Sequence, residues 1–139
     1  KLDIYKRIST IETDEEYMDM QDELLDRFGD IPKSVENLLK IAMVRALAHR
    51  AYVTEVFVNR QEIRLTMYQK AKLDVTRIPD FVQSYKGELK LVPGETPVFH
   101  YVDRKNKNSD SLIMLEKART MLEQLGKLGQ KEPGGNGSD

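Results

Sequence analysis

The chain of 139 residues contains no cysteine, which excludes disulfides, thiolate zinc sites and a cysteine nucleophile and fits a reducing compartment such as the cytoplasm. Histidine is nearly as scarce. The two present, His49 and His100, are far apart and lack a His-x-x-x-His spacing, so neither has the convergent partners that a metal site requires. His49 reads as helix-end packing and His100 as strand surface, and no metal ligand is assigned. Loops of the Gly-x-x-x-x-Gly-Lys and Gly-x-Gly-x-x-Gly types are missing, as is Gly-x-Ser-x-Gly; ATP, dinucleotides and serine-nucleophile chemistry have no residues to carry them, and no cofactor is expected. No run of about 18 apolar residues is available to span a membrane, and the first residues lack the apolar segment of a signal peptide. A large excess of one charge is lacking too: the formal net charge is −1, whereas proteins that coat nucleic acid generally need a basic excess. The expectation from these absences is a soluble, cytoplasmic chain without catalytic, cofactor or metal residues; a monomer is expected.

What is present is strong periodicity. Leu2, Tyr5 and Ile8 recur at threes in a short helix that starts in mid-pattern, as a segment of a longer polypeptide would. Thr13 followed by Glu16 is a capping box, in which each side chain satisfies an unpaired backbone amide, so a helix is predicted from Asp14. It runs to Phe28 with Tyr17, Met20, Leu24 and Phe28 on its inward stripe and Met18 and Leu25 flanking. Gly29 supplies the left-handed residue that ends it, and Pro32 is expected in the first turn of the next helix, about residues 31–50, where a missing amide proton is harmless. Val35, Leu38, Leu39, Ala42, Met43, Ala46 and Leu47 make that helix the central core element.

After Ala51 the period changes to two. Residues 55–59 and 62–67 read as a hairpin with Ile63, Leu65 and Met67 on one face. Ile78, Phe81, Val82 and Tyr85 fit a short helix ended by Gly87. Residues 88–92 and 98–102 form a second hairpin across Pro93-Gly94-Glu95-Thr96-Pro97. A polar loop over 103–110 precedes a last amphipathic helix carrying Leu112, Leu115, Ala118, Leu122 and Leu125. The expected fold is α+β: an N-terminal helical corner packed on a sheet of two hairpins, with intervening and C-terminal helices, in a single domain over residues 1–128 and a flexible tail over 129–139. Strand order is not encoded in these patterns.

Charge is unevenly placed. From Glu12 to Asp30 there are nine carboxylates (Glu12, Asp14, Glu15, Glu16, Asp19, Asp22, Glu23, Asp26, Asp30) against the single cation Arg27. Like charges one turn apart destabilise a helix by about 0.2–0.5 kcal/mol per pair. Two readings accommodate this row: a solvated face supported by the helix dipole, or a docking surface for arginines on another domain, where pairing can be bidentate. Catalysis by paired carboxylates needs them to face each other across a pocket, which neighbours on one exposed helical face cannot do. The cations Arg104, Lys105, Lys107, Arg119, Lys127 and Lys131 of the last third could instead touch phosphates, the alternative being a nucleic-acid-binding accessory domain; acidic residues interleave with them and no aromatic stacking series accompanies them.

The run Glu23-Leu24-Leu25-Asp26-Arg27-Phe28-Gly29-Asp30-Ile31-Pro32, followed by Val35, Glu36, Asn37, Leu38, Leu39 and Ile41, closely resembles the C-terminal domain of the bacterial transcription-repair coupling factors (Mfd). Leu2-Asp3-Ile4-Tyr5-Lys6-Arg7-Ile8 looks like the segment leading into that domain. The resemblance implies a regulatory domain without motor motifs, belonging to an ATP-driven DNA translocase that displaces stalled RNA polymerase and recruits UvrA for nucleotide excision repair. It further implies autoinhibition, with this domain packed on the parent's UvrB-like module and masking the UvrA surface. Glu23 and Asp26 match the family's acidic contact residues, and Asp19, Asp22 and Arg27 adjoin them as candidate partner-binding positions.

Overall fold

The computed structural model describes residues 2–105 and 110–129. Its N-terminal part is helical: α1 (Leu2–Ser9), α2 (Asp14–Phe28) and α3 (Lys33–Arg50). The capping box forms, with Glu16 N–H donating to Thr13 Oγ1 at 3.0 Å and Thr13 N–H to Glu16 Oε1 at 3.2 Å. Gly29 ends α2 at φ 72°, its N–H donating to the Leu25 carbonyl at 2.7 Å. Pro32 lies just before α3 rather than in its first turn. Its φ of −57° suits a helix but its ψ of 146° is extended, so its carbonyl caps α3 by accepting from Val35 and Glu36 at 3.0 and 2.9 Å.

The strands are β1 (Val53–Val58), β2 (Glu62–Met67), β3 (Leu89–Val92) and β4 (Val98–Val102). Asn59 closes the first hairpin by accepting, on its side-chain oxygen, the amides of Gln61 and Glu62 at 2.9 Å each. A short 3₁₀ turn at Val75–Arg77 leads into α4 (Ile78–Gln83), and α5 (Ser111–Gly126) starts at Asp110, whose carboxylate accepts from Ile113 N–H at 2.8 Å. The two hairpins join into one antiparallel sheet of order β1-β2-β4-β3, because β2 pairs with β4 in the register Ile63 to Tyr101 and Leu65 to Phe99. The described residues thus form the α+β fold that the periodicity implies. Among the described residues an isolated bridge pairs Leu73 with Gly129, the first residue of the expected tail; residues 130–139, like 106–109 of the expected loop, lie outside the described residues.

Two apolar clusters hold these layers. The larger lies under the sheet, where Ile63, Leu65, Phe99 and Tyr101 meet Met43 and Leu47 of α3 and Met114, Ala118, Met121, Leu122 and Leu125 of α5. Complete burial of each large side chain contributes about 1.5–3 kcal/mol. Phe81 of α4 meets Phe99 edge-on at 5.5 Å between ring centroids. Tyr85 meets Tyr101 at 5.9 Å and donates its hydroxyl to Gln124 Oε1; burial pushes its pKa up to about 12. The smaller cluster joins Ile4, Ile8 and Ile11 to Met20 and Leu24 of α2 and to Leu39 and Ala42 of α3. The helical corner therefore packs on α3, and α3 in turn packs on the sheet. Phe28, expected on the inward stripe, is 53% exposed. The small cluster closes over Met20 and Leu24, and the last turn of α2 projects past it.

Candidate functional site

Helical geometry divides the carboxylates of α2 between two surfaces. Glu23 turns towards α1, where Arg7 Nη1 donates to its Oε2 at 2.6 Å and Arg7 Nη2 to its Oε1 at 2.5 Å, a bidentate pair. Arg27, one turn on, donates to Glu23 Oε2 at 3.4 Å and places its guanidinium 5.5 Å from the centre of the Phe28 ring. These hydrogen bonds, with Arg7 foremost, hold the Glu23 carboxyl below its usual range, and the same pair raises Arg7. Other acidic groups are also engaged locally: Glu16 in the cap, Asp14 with Arg50 at 3.9 Å, and Asp30 with the Ile31 amide at 3.0 Å. Much of the like-charge repulsion in the row is relieved in this way.

Asp19, Asp22 and Asp26 are different. All three are exposed, and none has a cationic partner among the described residues. At about 100° per residue, Met18, Asp22, Leu25 and Asp26 share one outward arc with Asp19 at its margin. Met18 is 60% and Leu25 46% exposed, so α2 presents two apolar side chains ringed by unpaired carboxylates. Of the five candidate positions, Asp19, Asp22 and Asp26 are brought together on this face, while Glu23 and Arg27 form a second, internally neutralised group beside α1. Sequence reasoning missed Arg7. It stands 16 positions from Glu23, beyond any local spacing rule, and only the packing of α1 brings them together.

The cations of the last third do not assemble into a comparable feature. Arg119 lies 5.6 Å from the centre of the Tyr17 ring and pairs with Glu123 at 3.9 Å; Lys107 and Lys131 lie outside the described residues. His100 bonds Glu62 at 2.8 Å on the open sheet face, consistent with the strand-surface reading, whereas His49 is exposed at the end of α3 rather than packed. Among the described residues no three metal-ligating side chains converge, and no helix is long and apolar enough to cross a membrane.

Residues 1–78, more than half of the chain, match the sequence profile of a family described as "TRCF domain". The chain belongs to the TRCF domain family. This TRCF domain is 36% identical over 75 residues to the "Transcription-repair-coupling factor" of Bacillus subtilis (strain 168), an alignment covering 54% of this chain and 6% of that protein. To the protein of the same description from Rickettsia bellii (strain RML369-C) it is 29% identical over 99 residues, covering 71% of this chain and 9% of the relative. The chain therefore spans less than a tenth of the length of these relatives. Its fold is also that of a solved structure described as "Crystal structure of C-terminal domain of transcription-repair coupling factor", with a TM-score of 0.70 and 24% identity over 93% of this chain and 80% of that one. The TRCF domain is thus a domain of the transcription-repair coupling factor type, and α2, with its acidic face, lies inside the matched residues.

Proposed function

We propose that this TRCF domain is a non-catalytic, autoinhibitory module that docks through the outward face of α2 on the UvrB-like module of its parent polypeptide and masks the surface that UvrA binds. The observation that carries this reading is the group Asp19, Asp22 and Asp26, exposed and unpaired around Met18 and Leu25. Arginines on a partner can pair with such carboxylates bidentately, and the two apolar side chains supply a contact that exclusion of water strengthens. Glu23 and Arg27 border this face, and Glu23 can share its oxygens between Arg7 and an incoming guanidinium. The parent in this reading is a cytoplasmic, ATP-driven DNA translocase that acts on stalled RNA polymerase, with this domain restraining it.

The test uses the intact parent protein with Asp22→Arg and Asp26→Arg together. Glu23 is left in place because its reversal would also release α1 from α2. Breaking desolvated interfacial charge pairs typically costs about 2–5 kcal/mol, so the double variant should bind UvrA and turn over ATP at levels approaching those of a parent lacking this domain. Should the deletion release both activities and the double reversal release neither, the docking surface lies elsewhere on the domain.

A further inference from the structure

β1 is an edge of the sheet, and its outer side is unpaired among the described residues. Asn59 N–H donates to the Glu62 carbonyl at 3.0 Å, and the register continues with Phe57 opposite Arg64 and Glu55 opposite Thr66. In an antiparallel ladder these alternate residues direct their backbone groups to the partner strand, so Val56 and Val58 turn their N–H and C=O groups outward. Beside this edge runs a groove of about 630 Å³ between β1 and α3, lined by Ile41, Arg45 and His49 on the helix side and by Val56, Val58 and Leu115 opposite. Ile41 is 44% exposed. Arg45 and His49 are exposed and have no carboxylate partner among the described residues. The single acidic side chain of the lining, Glu55, alternates to the other face of the strand from Val56 and Val58. The groove is therefore apolar at one end, basic at the other, and bounded by a row of unused backbone hydrogen-bonding groups. It is separate from the acidic face of α2, because the opposite side of that helix, with Met20 and Leu24, packs on Leu39 and Ala42 of α3.

We propose that this groove binds an extended peptide as a fifth strand beside β1, carrying an apolar side chain against Ile41 and Leu115 and a carboxylate two residues away against Arg45 and His49. The spacing fits: four residues of α3 from Ile41 to Arg45 advance about 6 Å, and two residues of a strand advance about 6.7 Å. Strand addition supplies affinity through main-chain hydrogen bonds, and the alternate side chains supply selectivity. The occupant is an apolar and acidic segment, its charge complementary to the two free basic groups.

Fluorescence anisotropy with the labelled peptide Thr-Val-Thr-Val-Thr-Glu-Thr-Glu-Thr, and with the same residues in reverse order, tests this on the chain. One of the two orders should bind saturably, and its counterpart with lysine in place of glutamate should bind at least about tenfold more weakly, a difference of about 1.4 kcal/mol. Val56→Pro removes an outward N–H and no ladder hydrogen bond, so it should weaken binding by a similar factor while the sheet persists. Arg45→Glu, on an exposed helix face, should do the same and stands as the deciding variant should the proline chain not fold. The proposal is overturned by absence of saturable binding in both orders, or by equal affinity for the lysine peptide. It is equally overturned by a sedimentation profile in which the chain dimerises through β1 and the same two variants dissolve the dimer.

Discussion

At the scale of single residues, Glu23 does two things that its place in the sequence does not announce. It borders the acidic face of α2 and it fastens α1 to α2 through Arg7. Its carboxyl is held below the usual glutamate range chiefly by the Arg7 hydrogen bonds. The folded state therefore binds this proton less readily than the unfolded chain does. The pair's stabilisation is present above the ordinary glutamate pKa and is lost as pH falls through the lower, folded value. Carbon-detected NMR titration of the Glu23 carboxyl should show a midpoint below that of a free glutamate, and Arg7→Gln should return it towards the ordinary value. In the same acid range, amide exchange in α1 should quicken before exchange in β2. An unshifted Glu23 titration in the unmodified chain would mean that the Arg7 pair does not fasten α1 to α2.

At the scale of an element, α2 is stabilised both at its ends and along one inward stripe. Its outer surface carries the unpaired carboxylates, and its inward contact rests on Met20 and Leu24, with Tyr17 half-buried. The Thr13 cap and the left-handed Gly29 add to that burial by satisfying backbone groups at the two ends. Thr13→Ala should lower the unfolding free energy by about 1 kcal/mol. At Gly29 an added Cβ meets nothing within 4 Å, so Gly29→Ala suffers only from its φ of 72°, a loss of about 1–2 kcal/mol. The two positions are separated by the length of a 15-residue helix, roughly 22 Å at 1.5 Å per residue. Their effects should therefore add within about 0.5 kcal/mol when urea unfolding of the single and double variants is compared. Marked non-additivity would mean that α2 unfolds as a unit separately from the rest of the chain.

At the scale of the whole molecule, charge is segregated: carboxylates crowd one end on α2, while cations are dispersed over α3, α5 and the open sheet face. Several are already occupied, Arg119 by Glu123, Arg64 by Glu62 and the Phe57 ring, and Lys40 by Glu116. Affinity for duplex DNA scales with the number of phosphates that free cations can neutralise together. The isolated chain should therefore give no stable DNA complex in a gel shift at low ionic strength. Tight binding there, falling steeply with added salt, would favour the accessory-domain reading over docking by α2.

The elements and their order were legible in the residue pattern, because each rests on interactions within a few residues. The capping pair Thr13 and Glu16, the glycine stop at 29 and the alternation of Ile63, Leu65 and Met67 are all short-range, and they led to α+β and to α2 as the acidic helix. The run at 23–32 carried the family likeness for the same reason, being one continuous motif. Which faces found partners emerged from the packing of the layers. Pairing of β2 with β4, with Glu62 and His100 38 positions apart, depends on which strand edges remain unpaired once α3 and α5 have covered one face of the sheet. Capture of Glu23 by Arg7, exposure of Phe28 and the open edge of β1 follow likewise from how layers close over one another. Such contacts join residues whose separation must be closed against chain entropy, and no local pattern specifies which of the competing closures buries the most apolar surface.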